Sequence, residues 1–146
     1  MQYTLKRVVD TYPEWIEGLK KKCYAINGCL QTVHQDLGPF LNEYMYQDAL
    51  QILLDEQQIP HLREYYFSIE YRGKRIAHKH YVDFLINDEI IVECKAVEQL
   101  CMEHWQQLWN YMRLTGKQIG ILYNFGPIKG QSEHYYLHSD GTMYMF

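Results

Sequence analysis

Asp83 stands in the segment YVDFLI, and Glu93 and Lys95 stand in IIVECKAV, each surrounded by apolar residues. Ionised side chains in such segments are costly unless they are paired or bound to a cation. Three of them fall within thirteen residues, which asks for a shared purpose. Alternate residues of a strand share a face, so Glu93 and Lys95 point the same way. Whether Asp83 joins them depends on the turn between the strands. A two-residue turn at Asn87-Asp88 pairs position 83 with 92 and leaves Glu93 on the opposite face. A three-residue turn, Asn87-Asp88-Glu89, pairs 83 with 93, sets Ile86 opposite Ile90 and puts both carboxylates on one face. A slip of one residue dismantles the arrangement.

Two carboxylates converging beside a lysine suit a hard divalent cation. Mg2+ prefers oxygen ligands and keeps several waters, so one or two carboxylates are enough, and Mn2+ can substitute. Such a cation polarises a phosphoryl oxygen and lowers the pKa of a bound water, while the lysine positions or activates that water. The chemistry this suits is phosphodiester hydrolysis. The structural alternative is an internal salt bridge between Glu93 and Lys95 with Asp83 nearby.

The surrounding elements must hold those residues in place. Cys23, Ile26, Leu30 and Val33 recur at three- and four-residue steps and predict a helix from about Lys20 to Gln35. Gly38 and Pro39 end it. A second helix is expected from about Phe40 to Gln57, with Leu41, Met45, Ala49, Ile52 and Leu53 on its inner side and Pro60 beyond it. Before Lys20, Trp15 and Ile16 suggest a short helix with Pro13 in its first turn. Tyr65, Phe67, Ile69 and Tyr71 alternate as a half-exposed strand does, and Arg72-Gly73-Lys74 supplies a turn. A second strand leads through His80 to Ile86, and a third, from Glu89 to Ala96, is apolar enough to be covered on both faces. A helix from Glu98 to Leu114 ending at Gly116, a central strand from Gln118 to Asn124, and a hairpin from Glu133 to Phe146 turned at Asp140-Gly141 complete the chain.

Length and composition bound the reading. A chain of 146 residues is one domain's worth, since domains run to roughly 100–200 residues. Hydrophobic residues at 47% and charged residues at 22% are globular values and argue against disorder. The net charge of −4 excludes a general basic coat, so any contact with nucleic acid needs a local patch or a metal. No apolar run approaches the ~18 residues of a membrane span, so no membrane association is expected. No secretory signal is recognisable, and Cys23, Cys29, Cys94 and Cys101 form no CxxC pair. They read as reduced thiols of a cytoplasmic protein. Cys101 and His104 have zinc-ligand spacing, but two further ligands are missing nearby.

Asp83 followed by Glu93-Cys94-Lys95 resembles the D…(D/E)xK motif of the PD-(D/E)XK nuclease superfamily. The likeness extends to three ordered blocks, VHQDLGPFLNEYMYQDAL (33–50), YVDFLINDEIIVECKAVEQL (81–100) and HWQQLWNYMRLTGKQIGILYNFG (104–126). Together they resemble the GxxExxY protein family within that superfamily, over about residues 26 to 126. The resemblance implies an α/β fold with a central mixed sheet flanked by helices in a single domain, residues 1–25 packing on it as an extension and 127–146 adding a hairpin. It also implies roles. Asp83, Glu93 and Glu43 would hold Mg2+, with Glu43 reaching in from the second helix. Lys95 would be the catalytic lysine. Gln107 and Tyr111 match a QxxxY pattern on one face of the following helix, where Gln107 would orient substrate or lysine and Tyr111 would border the nucleic-acid path; the adjacent Gln106 points elsewhere. One position departs: the family's glycine three residues before the glutamate is Phe40 here, which either narrows the entrance to the site or alters how the second helix begins.

The remaining candidates have plainer readings. Tyr46 fits a core residue with a satisfied hydroxyl. His34 fits a helix C-terminus, and His104 a structural position. Arg72, Lys74, Arg75 and Lys79, with His78 and His80, form a basic stretch entering the strand of Asp83, where positive charge could meet phosphates; the plain reading is a solvated hairpin tip. Lys20-Lys21-Lys22 fits the exposed face of the first helix. The expected activity is metal-dependent hydrolysis of nucleic acid, DNA ahead of RNA. A non-cleaving nucleic-acid-binding or protein-interaction module is the alternative, and a homo-oligomer or partner protein stays open.

Overall fold

The computed structural model describes residues 4–7 and 14–146; Pro13 lies outside them. Among the described residues, nine strands and three helices follow one another in the order β1 (Thr4–Arg7), α1 (Glu14–Leu37), α2 (Glu43–Glu56), β2 (His61–Phe67), β3 (Glu70–Tyr71), β4 (Lys74–Arg75), β5 (His80–Ile86), β6 (Ile90–Lys95), α3 (Met102–Thr115), β7 (Ile119–Asn124), β8 (Gln131–Leu137) and β9 (Thr142–Met145). Seven strands form one mixed sheet in the order β1-β9-β8-β7-β6-β5-β2, and β3 and β4 form a separate small hairpin. β6 and β7 run parallel, joined by the α3 crossover that a parallel pair requires, and β1 runs parallel to β9. The chain is a mixed α/β single domain, a central mixed sheet flanked by helices.

Each face of the sheet is sealed by helices. Ile26, Leu30 and Val33 of α1 and Tyr46, Leu50 and Leu54 of α2 bury one face over Phe84, Ile86, Val92 and Ile121. Leu108, Trp109 and Met112 of α3 cover the other, over Val82, Leu85, Ile91 and Leu122. Covering both sides explains why β6 and β7 are buried almost throughout. Among the described residues no helix is long and apolar enough to cross a membrane, and all four cysteines are free.

Several boundaries differ from expectation for identifiable reasons. The segment before Lys20 is no separate short helix: it forms the first turns of α1, with Ile16 and Leu19 buried in the same core as Ile26. On α2, Met45 and Ile52 are exposed, and the buried face is Tyr46, Gln47, Leu50 and Leu54. Tyr46 can turn inward because its hydroxyl donates to the Gly38 carbonyl at 2.6 Å and accepts from the Leu41 N–H at 3.2 Å. Its ring stacks on Phe125 at 4.4 Å, which a smaller or fully polar residue could not do. The alternating run from Tyr65 to Tyr71 is two pieces, with β2 starting earlier, at His61, and Tyr71 exposed in the β3–β4 hairpin. Helix α3 begins at Met102 rather than Glu98. Asn124 holds Val97 by two hydrogen bonds, from its N–H at 3.0 Å and to its carbonyl at 2.9 Å, and His104 Nδ1 accepts from the Cys101 N–H at the helix start. His34 is buried against Tyr123 and Phe125, with Nε2 2.9 Å from the Pro127 carbonyl.

Candidate active site

The turn between β5 and β6 has three residues. Ile86 pairs with Ile90, Leu85 with Ile91 and Phe84 with Val92, and Asn87 and Asp88 both adopt φ of 54°. Asn and Asp tolerate this left-handed conformation better than most residues, which explains their presence. The register thus sets Asp83 opposite Glu93, but regular pairing stops one step earlier. In its place the Asp83 N–H donates to Glu93 Oε1 at 3.2 Å, and the Cys94 N–H donates to Asp83 Oδ2 at 2.8 Å. The same level is interrupted on the other side. β2 pairs with β5 from His61 to Phe67, yet Glu64, with φ of 52°, is not paired with Asp83 opposite it.

Lys95 ends β6 and points towards α3. Its Nζ donates to Gln107 Oε1 at 2.7 Å, and Gln107 Nε2 donates to the Tyr111 hydroxyl at 3.3 Å. A lysine with one N–H so engaged keeps two for other partners, and its head is held in one place. Tyr111 is half-buried, its ring edge-on to Phe67, and burial pushes its hydroxyl pKa up. Gln106 is exposed and faces away. His104 serves the start of α3, where burial lowers its pKa. Together with Cys101 it forms no zinc site: among the described residues no three His, Cys, Asp or Glu side chains form a group able to hold a metal.

Burial dominates the electrostatics. Glu93 is almost fully buried, and desolvation, then the Asp83 charge, pushes its carboxyl well above the usual range, against the pull of Lys95. Asp83 is raised by burial, offset by the Cys94 N–H, the Glu93 carboxyl and Lys95. Glu43 is raised by burial and then by Asp83. It accepts from Gln47 Nε2 at 3.4 Å and lines the same cavity as Asp83, of about 370 Å³, with Tyr44, Gln47, Glu64 and Tyr81. Glu43 therefore feels the pair without closing a three-carboxylate cage around it.

The donor set fits a hard divalent cation. All donors are oxygen, and Asp83 and Glu93 each accept a backbone N–H while their carboxyls meet each other. The pKa values, raised by burial and at Glu93 then by the Asp83 charge, are what a bound cation would relieve. Two protein carboxylates with water completing the shell is the arrangement Mg2+ favours over an all-protein cage.

Arg72, Lys74, Arg75 and Lys79 are exposed on and just after the β3–β4 hairpin. They precede the start of β5, whose middle residue is Asp83, and none lines the carboxylate cavity. Residue type and spacing do not single out Glu64, Tyr44, Gln47 or Tyr81. Glu64 in particular occupies a polar position of an alternating strand, and only its backbone conformation sets it apart.

The profile of the PD-(D/E)XK nuclease superfamily matches residues 20–135. No curated protein matches the chain. Among solved structures, the crystal structure of SSO0001 matches with a TM-score of 0.45 and 19% identity, over 92% of this chain and 67% of that one.

Proposed function

This chain belongs to the PD-(D/E)XK nuclease superfamily, and from that membership we propose that it is a Mg2+-dependent nuclease of the GxxExxY kind, able to use Mn2+ and acting on DNA ahead of RNA. The observation that carries the reading is the Lys95–Gln107 hydrogen bond beside the buried Asp83–Glu93 pair. A lysine held by a neutral amide, rather than spent on the adjacent carboxylates, is free to act on a third party.

Asp83 and Glu93 would hold the cation, with Glu43 adding negative charge from α2. When bound, the cation supplies Lewis acidity towards a phosphoryl oxygen and acidity to a coordinated water. The Lys95 N–H groups not given to Gln107 orient the attacking water and stabilise charge on the phosphoryl oxygens. The water oxygen forms a bond to phosphorus as the bond to the leaving sugar oxygen breaks. The water's proton passes to solvent, and the leaving oxygen takes one back. Gln107 positions Lys95, and Tyr111 fixes Gln107.

The decisive experiment incubates labelled single-stranded DNA, duplex DNA and RNA with wild type and Lys95→Ala, in Mg2+, Mn2+ or EDTA. Metal-dependent cutting that falls by about 10²- to 10⁴-fold in the variant supports the reading. No cutting by folded wild-type protein in either metal refutes it.

A further inference from the structure

Seven aromatic side chains are exposed among the described residues; of these, Tyr44 and Tyr81 line the carboxylate cavity, Tyr66 pairs with Tyr81, Tyr71 lies in the β3–β4 hairpin and Phe40 precedes α2. Phe40 is 81% exposed, as is Tyr24, but Phe40 alone of the two has a left-handed backbone, with φ of 72°. A left-handed conformation is unfavourable for any residue with a Cβ, and an apolar ring left in water recovers nothing. Such a residue carries two costs in the isolated protein and little intramolecular gain, which points to a use in a complex.

Its surroundings say where. Phe40 and Leu41 line a cavity of about 460 Å³ with Ala96, Val97, Glu98, Gly126 and Pro127, immediately beyond Lys95 and the end of β7. The carboxylate cavity is lined by Glu43, Tyr44, Tyr81 and Asp83, so the two cavities flank the start of α2. Tyr81 pairs with Tyr66 at 5.6 Å, on the side towards the exposed cations of the β3–β4 hairpin. Between β5 and β7 the path is about 10 Å, two strand spacings. In strand order from β2 to β7, the aromatic pair of β2 and β5, the carboxylates of β5 and β6, and the Phe40 cavity beyond β6 and β7 follow one another, with the basic hairpin joining β2 to β5.

We infer that this rim binds unpaired nucleotides, so that the substrate of the site is a single-stranded stretch, with Phe40 stacking on a base beyond the scissile phosphate. The inference rests on the nuclease reading above and narrows it. Bases inside a duplex are already stacked and offer no free face, whereas each unpaired base offers one to an aromatic ring whatever its identity. The hairpin cations complement the phosphates of the same strand.

Equilibrium binding tests this without cleavage. Fluorescein-labelled oligo(dT) and a labelled duplex are titrated in Ca2+ and in EDTA with wild type, Phe40→Gly and Phe40→Trp, followed by anisotropy. Wild type should prefer the single strand, Phe40→Gly should bind it roughly 5- to 150-fold more weakly, the equivalent of one stacked base, and Phe40→Trp should retain it. Glycine accepts the backbone conformation at position 40, so the variant should melt no earlier than wild type, separating lost stacking from lost folding. Equal affinity of wild type for duplex and single strand, or unchanged single-strand binding by Phe40→Gly, overturns the inference. Absence of binding to either nucleic acid also overturns it and leaves the ring to a protein partner. A protein that binds single strands through Phe40 but never cuts refutes only the nuclease reading. One that cuts duplex, indifferent to Phe40, refutes only this inference.

Discussion

The β5–β6 hairpin is built in two ways along its length. At the turn end, Phe84, Ile86, Ile90 and Val92 are buried and regularly paired, backbone to backbone. One step further the strands stop pairing, and the carboxylates of Asp83 and Glu93 take the backbone N–H groups of Cys94 and Asp83. Both ends satisfy their N–H groups, as buried backbone must. They differ in what is left over: the paired end leaves nothing, and the open end leaves two desolvated acids whose positions the backbone itself dictates. The apolar end supplies the stability that lets the open end hold charge out of water.

Removing side-chain volume from the paired end should give the largest effect. Phe84→Ala deletes a fully buried ring that faces Val92 and belongs to the α1–α2 core. Urea denaturation should show a loss of about 3–5 kcal/mol. A loss below about 1 kcal/mol would mean that the hairpin does not draw its rigidity from this end, and the contrast would fail.

The paired end was legible in the sequence and the open end only half so. Ile90, Ile91 and Val92 announce a strand covered on both faces, and the apolar runs around Asp83 and Glu93 mark these acids as unusual. Turn length was undecidable, because Asn87-Asp88 suits a turn of two or three residues; the apolar pairs that fix three are tertiary contacts. The inward face of α2 was half legible for the same reason: Leu41, Ala49 and Leu53 pack against the core as expected, but Met45 and Ile52 do not. Met45 and Ile52 follow the helical period as well as Leu50 and Leu54 do, and only the partners of Tyr46 break the tie. Glu64 carried no signal, since a left-handed backbone inside a strand leaves no trace in residue type. The Lys95–Gln107 contact came from family likeness, twelve residues apart across a strand and a helix, and periodicity has no reach there.

Neutralising the open end should change stability in the opposite direction. Glu93→Gln removes the most buried acid while its amide oxygen can still accept from the Asp83 N–H. The metal-free variant should be about 1–2 kcal/mol more stable than wild type at neutral pH, with cleavage lost. The pH profile follows from the raised pKa values of Glu43, Asp83 and Glu93. Above the ordinary carboxylate range the unfolded chain has released protons that the folded chain still holds. Stability is therefore fully present below that range and falls as pH rises through the elevated values. Thermal melts in EDTA should show this decline in wild type and a flatter profile in Glu93→Gln. Mg2+ should raise the wild-type Tm more at neutral than at acid pH, because the cation needs the carboxylates ionised. A wild-type profile rising with pH in EDTA would contradict the electrostatics assigned to the pair.

The smallest effect should come from the turn, and it separates register from turn chemistry. Asn87 has φ of 54°, and its N–H is held by the Pro60 carbonyl at 2.8 Å. Glycine enters this conformation without a Cβ penalty but adds freedom to the unfolded chain, so Asn87→Gly should gain no more than about 0.5–1 kcal/mol. If the apolar pairs at Ile86–Ile90 and Phe84–Val92 set the register, cleavage by this variant should match wild type, since a freer turn still delivers Asp83 opposite Glu93. If the turn residues set it instead, the freed hairpin would sample the two-residue alternative, in which position 83 faces 92 and the carboxylates part. Activity would then drop although stability rose, and the open end would depend on its turn rather than on the packed end beside it.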